Sequence, residues 1–210
     1  MIHRKKSTVR SSLYLLALTL ALFAALALVQ RQEALAGKLI RLHVVANSDT
    51  AADQAVKLQV RDAVLAAIAP LTDACATQEE AAAALRQALP GIEQAANDAL
   101  QQAGKATCPI AVRLCKERFP TRLYPTFSLP AGTYTSLRVE LGDAAGRNWW
   151  CVVFPTLCTA AESEDLRTVA TSAGLTRDEI ALMTEENPRY QPEFKLLEWL
   201  TQLRALLAGN

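Results

Sequence analysis

Between Lys38 and Ile68 (KLIRLHVVANSDTAADQAVKLQVRDAVLAAI) the apolar period changes once, from every second residue to every fourth, and the rest of the chain must pack around that change. Ile40, Leu42 and Val44 alternate with Arg41, His43 and Val45, the pattern of a strand with one buried and one partly polar face. Asn47-Ser48-Asp49-Thr50 stops the strand. Thr50 with Asp53 three residues on is a helix-start signature, and Asp49 and Asp53 place negative charge at the electropositive helix N-terminus. Val56, Val60, Val64 and Ile68 then form one apolar face, with Leu58 and Leu65 on a second. Gln54, Lys57 and Arg61 make a polar stripe between them, so the helix is expected to touch two neighbours.

Ahead of this unit the chain is basic (MIHRKKSTVR) and then runs from Ser12 to Val29 without a charge. That is the border length between a signal-peptide core and a membrane-spanning helix, and Ala34-Leu35-Ala36 before Gly37 has the form of a signal-peptidase site. Residues 1–36 are therefore a cleaved signal peptide or a retained anchor, required for export and dispensable for folding. Either way, with the basic end inside, residues 37–210 lie outside the cytoplasmic membrane. The leader holds five of the 22 Lys and Arg and one of the 21 acids, which leaves a mildly acidic body. Without a dense basic patch, nucleic acid is excluded as the main partner.

Downstream, Thr77-Gln78-Glu79-Glu80 is a capping box. It opens a helix whose apolar positions Leu85, Leu89, Ile92, Ala96 and Leu100 continue through Pro90-Gly91, as one kinked helix or two collinear ones, up to Gly104. Alternation returns at Ile110, Val112 and Leu114. A Pro-punctuated loop or edge follows from Phe119 to Pro125, and then Leu137, Val139 and Leu141. Gly142-Asp143-Ala144-Ala145-Gly146 before Trp149-Trp150-Cys151-Val152-Val153-Phe154 reads as a hairpin. The expected fold is α+β: a mostly antiparallel four-stranded sheet with two N-terminal helices on one face, over residues 37–160. A helical C-terminal tail, 161–210, has a capping box at Thr176 and Glu179 and an amphipathic stretch at Phe194, Leu197, Leu200, Leu203 and Leu207. That stretch packs on the core or meets a partner or membrane surface.

His43 is the only histidine outside the leader. It is either a general base of an exported hydrolase or a hydrogen-bonding residue tied to Asn47 or the helix start. Asn47, Asp49, Asp53 and Gln54 are cap or contact residues. Arg147, Asn148, Trp149 and Trp150 have the composition of a binding surface, and one of two adjacent strand tryptophans must point to the face opposite the helices, exposed or covered by the tail. One histidine and scattered cysteines without C-x-x-C spacing form no metal site, and no cofactor or small-molecule substrate is expected. Of the five cysteines, Cys108 and Cys115 lie too far apart on one strand to bond. Cys151 and Cys158, with Phe154-Pro155 between them, can close a short loop worth roughly 2 to 3 kcal/mol, or remain two buried thiols.

Two stretches go beyond periodicity: IRLHVVANSD with the following DQ and KLQVRD, and GRNWWCVVFPTLC from Gly146 to Cys158, with LPAGTY between them and EFKLLEWL near the C-terminus. Together they resemble the stage II sporulation protein R family. The resemblance implies a non-enzymatic signal made in the forespore of an endospore-forming bacterium and exported between the two septal membranes. There it activates a membrane-bound aspartic protease of the mother cell that matures the sigma-E precursor. An exported hydrolase and a structural envelope protein are the alternatives.

Overall fold

The computed structural model describes residues 2–157 and 166–184. The chain opens with helix α1 (Ile2–Gly37) and passes directly into β1 (Ile40–Val45). Helices α2 (Ala51–Asp73) and α3 (Gln78–Gln102) come next, then β2 (Ile110–Phe119), β3 (Arg122–Leu123), β4 (Ser128–Leu129), β5 (Gly132–Leu141) and β6 (Asn148–Phe154). Short helices α4 (Leu166–Ser172) and α5 (Arg177–Thr184) complete the described residues.

Helix starts follow their sequence signals. The Thr50 hydroxyl accepts from Asp53 N–H at 3.2 Å, and Thr77 does the same for Glu80 at 3.2 Å. At α5 the exchange is reciprocal: Glu179 N–H donates to Thr176 Oγ1, and the Glu179 carboxylate accepts from Thr176 N–H. Helix α3 runs unbroken through Pro90 and ends where Gly104 takes a left-handed φ of 71°, the conformation glycine adopts without a Cβ penalty. Helix α2 likewise contains Pro70 in its last turn and continues to Asp73.

β1 is buried at every position, and a strand covered on both faces belongs in the middle of a sheet. The order is β2-β5-β1-β6. β1 runs parallel to β5, with Leu42 opposite Leu137, and antiparallel to β6, with Leu42 opposite Cys151; β2 pairs antiparallel with β5. The sheet is thus mixed, and the expected hairpin is corrected, because β1 lies between the two strands that were read as its arms. Their connection crosses the C-terminal end of β1, where Gly146 N–H donates to Ala46 O at 2.9 Å and Ala145 N–H to Asn47 O at 3.2 Å. A Cβ on Gly146 would sit 2.3 Å from Ser48 O, so the glycines that suggested a tight turn serve this close crossing instead.

One core layer joins Val60, Val64 and Ile68 of α2 and Leu85 and Ile92 of α3 to Leu42, Val44, Leu137 and Val139 of the sheet. Leu58, read as part of a second apolar face on α2, is exposed. A second core lies around Phe119, Tyr134 and Val152, together with Leu35 and Leu39, Leu129, Leu166, Ile180 and Met183. Leu35 is fully buried and Ala36 nearly so, so the final turn of α1 is part of the packed domain. Upstream, Tyr14–Gly37 contains a run long and apolar enough to cross a membrane.

Candidate functional site

The residues singled out in the sequence fall into two adjoining groups at the C-terminal end of β1. In the first, Asn47, Asp49, Asp53, Gln54 and Arg147 lock the crossing loop to the start of α2. The Asp53 carboxylate accepts from Ser48 Oγ at 2.6 Å and Asn47 Nδ2 at 2.8 Å, and Lys105 lies 3.3 Å away. The Ser48 hydroxyl and Asn47 amide, aided by Lys105, hold its pKa down to about 2 against the burial that raises it. Asn47 Oδ1 in turn accepts from Asp143 N–H at 3.0 Å. Asp49 accepts from the backbone N–H of Arg147 at 2.7 Å, with the Arg147 Nε at 3.4 Å. Gln54 donates to Ser48 O at 2.9 Å and accepts from Lys57 Nζ at 2.7 Å, and Lys57 also donates to Arg147 O at 3.0 Å. Burial, then repulsion from Arg147, lowers the Lys57 pKa.

Asn47 and Asp53 are thereby absorbed in shaping the loop, whereas Asp49, Asp143, Arg147 and Asn148 are exposed. The exposed set forms a polar rim at the end of the sheet opposite the entry of α1. A six-residue β1 separates the two ends by about 20 Å.

The second group lies on the sheet face away from α2 and α3. Arg113, Arg138, His43 and Trp150 stand side by side across the four strands. His43 is buried, with Nδ1 2.8 Å from Glu117 Oε1 and Nε2 2.9 Å from Asn148 Oδ1. The same Glu117 oxygen accepts from Arg138, which also holds Glu140, and Arg113 closes the chain of charges on Glu140. Hydrogen bonding from Arg113, then from Arg138, lowers the Glu140 pKa despite its burial. The partners of His43 are therefore Glu117 and Asn148, not the expected Asn47 or helix start. Asn47 leaves the strand end toward α2, while His43 faces the opposite layer.

Neither tryptophan is exposed. Trp149 packs on the α2 side with the Arg61 guanidinium 4.9 Å from its ring centre, and Trp150 lies under Arg122 at 3.5 Å. Arg41, Glu117, Arg122 and Arg138 were missed. For Arg41, Glu117 and Arg138 the signal was present as alternating polar positions in β1, β2 and β5, but only the strand order brings those strands together; Arg122, on the separate β3–β4 ribbon, is placed by its stacking on Trp150.

Chemically, this is a network of ion pairs in which Glu117 Oε1 is shared by His43 and Arg138 while its buried Oε2 has no partner. Nε2 of His43 is directed at Asn148, and among the described residues no group of three or more His, Cys, Asp or Glu could hold a metal. Cys75, Cys108 and Cys115 are free thiols. Cys151 is disulfide-bonded, and Cys158, the partner foreseen for it, lies outside the described residues, as does the amphipathic stretch around Phe194 to Leu207.

Residues 36–164 match the family model described as stage II sporulation protein R. The chain is 33% identical over 181 residues to the stage II sporulation protein R of Bacillus subtilis (strain 168), covering 78% of this chain and 80% of that one. No solved structure matches.

Proposed function

Because the chain belongs to the stage II sporulation protein R family, we propose that it is an exported signalling protein of endospore formation. It acts in the space between the forespore and mother-cell membranes on a membrane-bound aspartic protease, which then processes the sigma-E precursor. Family membership carries this reading, and the N-terminal apolar helix supports export. Domain 37–160 does the signalling, with Leu35 and Ala36 at the end of α1 packed on it, which favours a leader over 1–36 that is kept as an anchor rather than removed, and 161–210 form the tail.

The contact surface is the rim of Asp49, Asp143, Arg147 and Asn148, on the side of the fold away from α1, where a partner embedded in the facing membrane is met first. Asn47, Asp53, Gln54 and His43 hold that rim in shape. Trp149 and Trp150 support it through the stacked arginines, since half-buried rings contribute more to a rigid surface than to direct contact. Among the described residues, the hydrogen-bond partners of His43 are Glu117 and Asn148 rather than the nucleophile that the exported-hydrolase alternative requires. In the oxidising space outside the membrane, Cys151 pairs with Cys158, which peptide mapping without reduction tests.

The decisive experiment reconstitutes the full chain with the protease and its precursor substrate in vesicles. Cleavage that depends on this chain is expected; precursor processed equally well without it would reject the reading.

A further inference from the structure

Arg41 is the most anomalous residue in the fold: a fully buried arginine with no acidic partner among the described residues. Of its three guanidinium nitrogens only Nη2 has a hydrogen-bond partner, Tyr124 Oη at 2.8 Å; Nε and Nη1 have none. Its flat face lies 4.0 Å from the centre of the Phe119 ring and 5.1 Å from that of Tyr134. Such stacking steadies the charge but leaves the N–H edges, which are the hydrogen-bonding groups, unused.

A second arginine repeats the pattern. Arg122 stacks on Trp150, has no acidic partner among the described residues, and its buried Nε is also unpartnered. Phe119 and Trp150 are themselves in edge contact, with centroids 6.4 Å apart. Burial, reinforced by repulsion from Arg41, lowers the Arg122 pKa. Glu117, an acid on the same face, has Oε1 committed to His43 and Arg138, and its buried Oε2 has no hydrogen bond to either Arg41 or Arg122. Burying two like charges with idle donors is costly unless a negative group joins them.

The location narrows the kind of anion. Arg41 comes four residues after the end of α1, and Arg122 and Tyr124 lie on the β3–β4 ribbon that leaves the same end of the sheet. Between those two, Leu123 is 69% exposed, the most exposed large apolar side chain outside α1 among the described residues. A projecting leucine flanked by guanidinium and phenol groups matches a bilayer boundary, with apolar contact to acyl chains and cations at the phosphate level.

We propose that Arg41, Arg122 and Tyr124 form a binding site for the phosphate of an anionic phospholipid headgroup, with Leu123 seated in the interface beside it. Entry requires the ribbon to lift, because Arg41 has no solvent exposure. β3 and β4 form their own two-stranded sheet, separate from the four-stranded one, so moving the Arg122–Tyr124 side breaks none of its ladder hydrogen bonds while Leu129 of β4 stays anchored in the second core. The site would hold the domain at the membrane surface with the Asp49–Arg147 rim pointing away. The inference rests on α1 being a membrane segment, and flotation of the full chain with phosphatidylcholine vesicles tests that premise by itself.

The site is tested by titrating the full chain, held in neutral detergent micelles, with short-chain phosphatidylglycerol, short-chain phosphatidylcholine and glycerol 3-phosphate. Saturable binding of the phosphatidylglycerol is expected, about tenfold tighter than the phosphatidylcholine, whose choline would face the two guanidiniums. Arg41→Met and Arg122→Gln should each weaken it about tenfold, the loss expected for one charge-assisted contact. Thermal midpoints of both variants check folding, and Arg41→Met should leave the midpoint unchanged or raised, since it removes a buried unpaired charge. Equal binding of glycerol 3-phosphate would support the site with phosphate itself as the ligand, and binding of the lipid alone would assign the headgroup in its micelle. Absence of saturation by either anion, or unchanged binding in both folded variants, would overturn the proposal.

Discussion

His43 is a buried brace beneath the end of the sheet. It joins Glu117 of β2 to Asn148 at the start of β6, across strands that are distant in sequence. Truncating it to alanine leaves a void in the buried layer and removes one partner of Glu117 Oε1, at a cost on the order of 2 to 4 kcal/mol in urea unfolding. His43→Gln keeps one of the two bonds and should cost about 1 kcal/mol, with precursor processing retained. A stably folded His43→Gln chain that binds the protease but gives no processing would instead revive the hydrolase. Asp53 offers a test through pH. Its carboxyl is held at about 2, below the value of about 3.9 in an unfolded chain. The stability it contributes is therefore fully present above about pH 4 and lost as pH falls through about 2. In Asp53→Asn that part of the acid-induced loss should vanish from the unfolding midpoint measured between pH 5 and 2. An unaltered acid profile would mean that Ser48 and Asn47 do not favour the charged form.

At the scale of elements, the strand–turn–helix unit was legible because its information is local: the Thr50 cap, the four-residue apolar period of α2 and the alternation of side-chain type along β1 all follow from neighbouring residues, whereas the burial of both β1 faces does not. Strand order was not. The glycines at 142 and 146 resemble a hairpin turn in sequence, yet their function is set by Asn47 and Ser48, nearly a hundred residues upstream, which they approach too closely for any Cβ. The polar row from Arg113 to His43 was hidden for the same reason, since alternation gives a strand its two faces but no neighbour. The end of α1 was obscured differently, because an A-x-A motif after an apolar run reads as a processing site whether or not its leucine is packed. Here Leu35 is fully buried among the residues of the second core. A chain beginning at Gly37 should be less stable than one beginning at Gln32 by about 2 to 4 kcal/mol, the range of a lost core leucine. Leu35→Ala in the longer chain should reproduce most of the difference. Equal unfolding midpoints for the two chains would return the end of α1 to the leader.

Over the whole molecule, the two ends of the sheet have opposite character. One receives α1, and the other carries exposed charges held in place by a buried polar lock. If the far end meets the protease, the exposed Arg147 side chain is the cleanest residue to alter, because the loop is fastened through its backbone N–H and carbonyl rather than its guanidinium. The Arg147–Asp49 ion pair is solvent-exposed, and such pairs contribute about 0 to 1 kcal/mol. Arg147→Glu should therefore leave the unfolding midpoint nearly unchanged while lowering protease activation about tenfold or more, as charge reversal at a complementary interface does. Asp49→Arg alone is less clean, since it also removes the acceptor for the Arg147 N–H. Combined with Arg147→Glu, however, it restores opposite charges within the rim. If the side chains act only by pairing with each other, the double variant should recover activity; if they face the protease, it should stay defective, at a stability no lower than that of Asp49→Arg, which lacks the same acceptor for the residue 147 N–H. The second result is expected in precursor processing measured beside the unfolding midpoint of each variant, and full processing by the Arg147→Glu chain would place the contact elsewhere on the surface.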